Sequence, residues 1–194
     1  MPLTLRPPRP SAFSFRTVDP ETDAVLLHDW FTGPAASFWG RQDASVEDVA
    51  REHRAIAATP HREASLGMTD DGPVFLCERY DPARHELASH YDVHPGDVGV
   101  RFLVSPATEP VPGFPTAVVR AVMRLLFTDP SVSRVVAEPD VRNHEAHRLN
   151  ELVGFEVDRT VHLSDKDASL SFCTPEQFET TVAGAALCGG ALAG

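Results

Sequence analysis

Lysine is almost absent from this chain. Lys166 is the only one, beside abundant arginine, which argues against a lysine nucleophile and reads as genome base composition. Cysteine is scarce too. Cys77, Cys173 and Cys188 are odd in number and share no CxxC or CxxH spacing, so neither a disulfide framework nor a structural zinc site is supported. A reducing cytoplasm is the simplest compartment. Positive charge is in deficit: 17 Lys+Arg stand against 28 Asp+Glu, a formal net charge of -11. Nucleic-acid binding without sequence preference needs a basic surface, and an anionic membrane surface is disfavoured for the same reason. Two readings of the charge stay open, a cationic small substrate such as a polyamine, or solubility alone. No apolar run approaches the roughly 18 residues of a membrane-crossing helix. The opening MPLTLRPPRPSAFSF has no apolar core of the kind a secretory signal carries.

What is present is enough for a packed interior. The 194 residues are 42% hydrophobic, and a chain of this length buries roughly two-thirds of its unfolded surface. Phe13 to Val18 alternates as a strand. Asp19-Pro20 then starts a helix with Ala24, Leu26, Leu27, Trp30 and Phe31 on its apolar face, stopped by Gly33-Pro34. Ser45 and Asp48 approximate a capping box for a second helix that ends at Pro60. A hairpin over Ser65–Tyr80 turns at Asp70-Asp71-Gly72. HELASHYDV is a further strand candidate, followed by the β-prone DVGVRFLVSP, a Pro-rich loop and the helical spacing of GFPTAVVRAVMRLLF. RVVAEPD reads as a strand and HEAHRLNELVGF as a helix ended by Gly154. FEVDRTVHL and ASLSFCT are two last strands, before a short helix begun at Thr174-Pro175.

Chemistry concentrates where strand Val98–Val104, a helix opened by Gly113, and strand Arg134–Asp140 feeding a helix at Asn143 follow one another. A glycine-opened helix offers free N–H groups and a positive dipole end, a seat for pyrophosphate that many α/β units share. The next stretch is more specific. Asn143, Ala146, Leu149, Gly154 and Phe155 form Asn-x-x-Ala-x-x-Leu-x-x-x-x-Gly-Phe. On this string the chain resembles the GNAT superfamily of acyl-CoA-dependent N-acyltransferases. Trp30 with Phe38-Trp39, Glu78-Arg79-Tyr80-Asp81-Pro82 and Glu138-Pro139-Asp140-x-Arg142-Asn143 narrow the likeness. Those pieces resemble the siderophore-biosynthesis branch, including the aerobactin-type N-hydroxylysine acetyltransferases, the mycobactin lysine N-acyltransferases and, most of all, the desferrioxamine-pathway N-hydroxycadaverine acyltransferases.

The resemblance implies a GNAT-like single domain of the α/β (α+β) class, a mostly antiparallel mixed sheet of about six or seven strands flanked by helices. It divides the chain into a flexible Pro/Arg arm over 1–12, an acyltransferase domain over 13–183 and a disordered tail over 184–194. It implies acetyl-CoA or succinyl-CoA as co-substrate, a small hydroxylamine or amine as acceptor, and no metal. Neither nucleic acid nor membrane is implied as partner, and a homodimer is left open. Phe102, Leu103 and Val104 would hold the pantetheine arm, and the turn carrying Gly113, Phe114 and Thr116 the pyrophosphate. Asn143 and Asn150 complete the cofactor side. Glu138 maps to the family's base or orienting carboxylate, with Asp140 two residues on as a catalytic or loop-holding group. Trp30, Trp39, Tyr80 and His147 are acceptor-binding candidates.

Three positions depart from the pattern. Pro115 takes a place where a small residue would donate an N–H, leaving Thr116 to compensate with its hydroxyl. Arg101 replaces a histidine common in relatives and, staying protonated, pairs either with an acidic acyl group or with a neighbouring carboxylate. Asn150 stands where many GNAT enzymes carry a tyrosine acid, and the resemblance to the siderophore branch implies asparagine there. The His144-x-x-His147 pair lacks a third clustered metal ligand. Three functions are therefore weighed: acylation of an N-hydroxylated diamine or N-hydroxylysine, acetylation of another amine such as an antibiotic or a protein N-terminus, and CoA binding without catalysis.

Overall fold

A computed structural model of the chain describes residues 13–106 and 111–190, with side chains up to 185. The expected arm over 1–12 and the end of the tail, 191–194, lie outside the described residues. Seven strands form one sheet: β1 (Ser14–Thr17), β2 (Arg62–Thr69), β3 (Gly72–Tyr80), β4 (Asp97–Val104), β5 (Arg134–Ala137), β6 (Glu156–His162) and β7 (Asp167–Cys173). Their order is β1-β2-β3-β4-β5-β7-β6. The pairs β1–β2, β5–β7 and β6–β7 are antiparallel, and β4–β5 is parallel. Among the described residues five α-helices accompany the sheet: α1 (Ala24–Phe31), α2 (Val46–Ala57), α3 (Phe114–Leu126), α4 (His144–Glu151) and α5 (Pro175–Gly190). This is the mixed α/β architecture expected of a GNAT-like chain.

The chain gathers into two compact units. One holds the residues up to Glu78 together with Arg101–Ala121; the other holds Arg79–Val100 and the residues from Val122 onward. In the first unit, Leu27, Trp30, Phe31, Val49, Ile56, Leu66, Leu76 and Leu103 make a buried apolar cluster. Their spacing explains α1 and α2, whose apolar residues recur on one face. Ser45 caps α2 as expected: its hydroxyl accepts the Asp48 N–H at 3.2 Å while Asp48 accepts the Ser45 N–H at 2.9 Å. In the second unit, Tyr80, Leu87, Val136, Val161, Leu163, Ala168 and Leu170 form one buried apolar cluster.

Three sequence expectations give way. HELASHYDV is not a strand; Pro82–Arg84 and Glu86–Ser89 are 3₁₀ turns. Asp81 accepts the Ala83 N–H at 2.9 Å and the His85 ring accepts the Leu87 N–H at 3.3 Å, so side chains take the donors a ladder would have used. The RVVAEPD strand stops at Ala137, two residues before Pro139, and Asp140 makes only an isolated bridge to Ala168. At the far end, α5 continues to Gly190, inside the segment expected to fray.

Candidate active site

In the second unit β5 delivers Glu138 just past its last residue, and the carboxylate is buried at 2% exposure. The Tyr80 hydroxyl, at the end of β3, donates to Glu138 Oε2 at 2.7 Å. Lys166 reaches the other oxygen, its Nζ lying 3.8 Å from Oε1. The Tyr80 ring packs on His85 with centroids 4.6 Å apart and lies flat over Gly99 of β4. A Cβ at Gly99 would stand 2.2 Å from that ring, so only glycine lets the phenol reach Glu138. The sequence marked Lys166 only as the sole lysine and gave neither it nor Gly99 a place in the site. The 3₁₀ turns that replace the expected strand are what bring His85 onto Tyr80.

Asp140 does not share this cluster. Arg142 Nε and Nη2 donate to its two oxygens at 2.9 and 2.7 Å, and the Arg142 N–H adds a third bond at 2.8 Å. These bonds from Arg142 hold the Asp140 carboxyl at about 2, well below the ordinary carboxylate range. The Asp140 carbonyl accepts from His147 Nε2 at 3.0 Å and from the Asn143 N–H at 2.9 Å. A carbonyl only accepts, so Nε2 carries the His147 proton and the ring is committed to this loop. Asn143 caps α4, its Oδ1 accepting the Ala146 N–H at 3.1 Å, and Asn150 is buried on the same helix. Asp140 and His147 thus fix the entry to α4, while Glu138, Tyr80 and Lys166 form a separate buried cluster.

In the first unit, Phe102 and Val104 are half-buried on β4, as is Arg101, while Leu103 enters the core. The β4–β5 ladder runs over Asp97↔Arg134, Val98↔Val135 and Gly99↔Val136, and β4 continues to Val104. Gly113 has φ +78 and opens α3, its carbonyl accepting the Ala117 N–H at 2.9 Å. The Phe114 N–H is taken by Val111 at 3.1 Å and its ring packs edge-on against Phe13, so neither faces an anion freely. One turn beyond Thr116, Arg120 buries an Nε with no hydrogen-bond partner.

Trp30, an acceptor-binding candidate in the sequence, is 5% exposed and packs among Leu27, Phe31 and their neighbours. Trp39 is partly buried against the same cluster and, with Phe31, lies under Arg41, whose guanidinium carbon sits 5.3 and 4.5 Å from the two rings. Arg41 pairs with Glu52 and stands 3.5 Å from Glu78. Buried His53 donates from Nδ1 to the Val49 carbonyl at 2.9 Å and turns Nε2 toward Glu78 at 3.7 Å. A cavity of about 680 Å³ beside this network is lined by Gly40–Ala44, Asp48, Arg51, Glu52 and Ala55, and by neither tryptophan. Among the described residues no group of three or more His, Cys, Asp or Glu side chains could hold a metal ion, and no helix is long and apolar enough to cross a membrane.

A model of the acetyltransferase (GNAT) domain matches residues 19–163. The chain belongs to this family. It is 28% identical over 170 residues to an aminoglycoside N(6')-acetyltransferase type 1 of Klebsiella pneumoniae, covering 83% of each chain. It is 25% identical over 168 residues to an N-hydroxyputrescine acetyltransferase of Acinetobacter baumannii, covering 87% of this chain and 80% of that one. The solved aminoglycoside acetyltransferase AAC(6')-Ib with coenzyme A and kanamycin superposes with a TM-score of 0.76 at 25% identity, over 88% of this chain and 99% of that one. The GNAT family assigns the chemistry: an N-acyltransferase that uses an acyl-CoA.

Proposed function

We propose that the chain acylates the hydroxylamine nitrogen of an N-hydroxylated aliphatic diamine or N-hydroxylysine, as in hydroxamate siderophore assembly. The observation that carries this reading is the Glu138 environment. A primary alkylamine arrives protonated and needs a base able to take a proton before attack. Glu138 already accepts the Tyr80 hydroxyl and faces the Lys166 ammonium. A carboxylate so engaged suits a nucleophile that arrives neutral, and a hydroxylamine does. The likeness to an N-hydroxyputrescine acetyltransferase supports the same acceptor class.

When bound, acyl-CoA supplies a thioester whose carbonyl carbon gains the C–N bond as its C–S bond breaks; the nitrogen loses one proton and the thiolate gains one, leaving hydroxamate and free thiol. Glu138 orients the attacking nitrogen and receives its proton. The family resemblance assigns the pantetheine arm to Phe102, Leu103 and Val104. Thr116 and Arg120 take phosphate oxygens. Asn150 hydrogen-bonds the sulfur without acting as an acid, and Asn143 keeps α4 in place for it.

The likeness to the Klebsiella enzyme favours a second reading, acetylation of an aminoglycoside amine. Thiol release and iron(III)-hydroxamate colour, measured with acetyl- and succinyl-CoA against N-hydroxycadaverine, N-hydroxylysine, cadaverine and kanamycin, decide between them. The first reading expects the highest kcat/KM with an N-hydroxylated acceptor. A higher value with kanamycin would replace it with the second.

A further inference from the structure

We infer that Lys166 selects the acceptor: its ammonium balances the buried Glu138 carboxylate, so that the site takes a neutral hydroxylamine nitrogen and rejects an alkylammonium. This rests on the acceptor class proposed above and names the residue that enforces it. Lys166 is the chain's only lysine. The turn between β6 and β7 places it, the Leu163 N–H bonding the Lys166 carbonyl at 2.9 Å. Its side chain is only 12% exposed and that of Glu138 1%, with Nζ 3.8 Å from Oε1. An ammonium this close to a buried carboxylate cancels most of the attraction that the carboxylate alone would exert on a cation. A bare carboxylate at this place would attract a protonated amine. The paired ammonium instead confronts it with a like charge in a medium that screens poorly. A neutral N–OH group carries no such penalty, and its oxygen can accept from the ammonium while its nitrogen faces Glu138. Tyr80 fixes the second carboxylate oxygen, so the Lys166 charge acts on a group that cannot turn away.

The test compares wild type, Lys166→Met, Lys166→Gln and Lys166→Arg in the full chain, with N-hydroxycadaverine and cadaverine as acceptors at one acetyl-CoA concentration. Wild type prefers the hydroxylamine. Lys166→Met and Lys166→Gln are expected to lower that preference by tenfold or more, partly through an absolute gain in kcat/KM on cadaverine. Lys166→Arg, which keeps the charge, restores the preference. A merely structural lysine would lower both activities together and could not produce the gain. A preference unchanged in folded Lys166→Met or Lys166→Gln, or lost in folded Lys166→Arg, overturns the role of Lys166 while leaving the acceptor class intact. A wild type without any preference for the hydroxylamine overturns the acceptor class, and the selection with it.

Discussion

Two carboxylates two residues apart carry very different chemistry here, because each meets a different donor. Glu138 is buried between a phenol and an ammonium, whereas Asp140 is locked by the Arg142 guanidinium. Glu138→Gln is therefore expected to lower kcat/KM by about a hundredfold or more. Tyr80→Phe, which removes one bond to a charged group, should cost about tenfold. Steady-state thiol release on folded variants checks both, and near-normal activity of Glu138→Gln would remove the carboxylate from the mechanism. Asp140 makes a different prediction, in stability. Its carboxyl is lowered from 3.8 to about 2, so its contribution is complete above about 4 and is lost as the pH falls through about 2. In Arg142→Ala the titration moves back up toward 3.8, and acid unfolding begins at higher pH; carboxylate NMR and an acid melt read the two effects. The motif Glu-Pro-Asp-x-Arg-Asn made both residues legible in sequence. Lys166 was not legible, since a turn residue meets Glu138 only through the pairing of β6 with β7.

The elements themselves were largely written in local signals. Alternation gave the strands, Ser45 and Asp48 marked α2, and Asn143 marked α4, so the strand and helix order through β7 follows the periodicity. The exception, His85–Val93, shows what periodicity misses: Asp81 and His85 offer side-chain acceptors to nearby N–H groups, and these local bonds win over extension. Two substitutions test how elements hold the site. Asn143→Ala removes the acceptor of the Ala146 N–H and should destabilise by about 1 kcal/mol, read by denaturant unfolding. Because α4 is only eight residues long, hydrogen exchange in it should rise more than in α2. Gly99→Ala acts through contact. The added methyl cannot coexist with the Tyr80 ring 2.2 Å away, so the phenol must leave Glu138 and activity should fall at least as far as in Tyr80→Phe.

Over the whole molecule, the -11 charge would act on an acyl-CoA and on the diamine proposed above in opposite senses. A hydroxylated diamine keeps an ammonium at its far end and is drawn in by the long-range field, while an acyl-CoA is an anion that the same field opposes. Capture of the anion then depends on short-range donors, to which the reading proposed above assigns Thr116 and Arg120. Salt separates the two contributions. Raising ionic strength from about 0.02 to about 0.2 M shortens the Debye length from roughly 20 Å to below 10 Å, removing the field but sparing close contacts. The KM for the diamine is expected to rise severalfold over that range, and the KM for acetyl-CoA to stay level or fall. Arg120→Ala should raise the acetyl-CoA KM about tenfold and leave the diamine KM unchanged, since one charge-assisted bond is lost. A diamine KM that ignores salt would mean that the acidic surface serves solubility alone, and that recognition of the ammonium is wholly local.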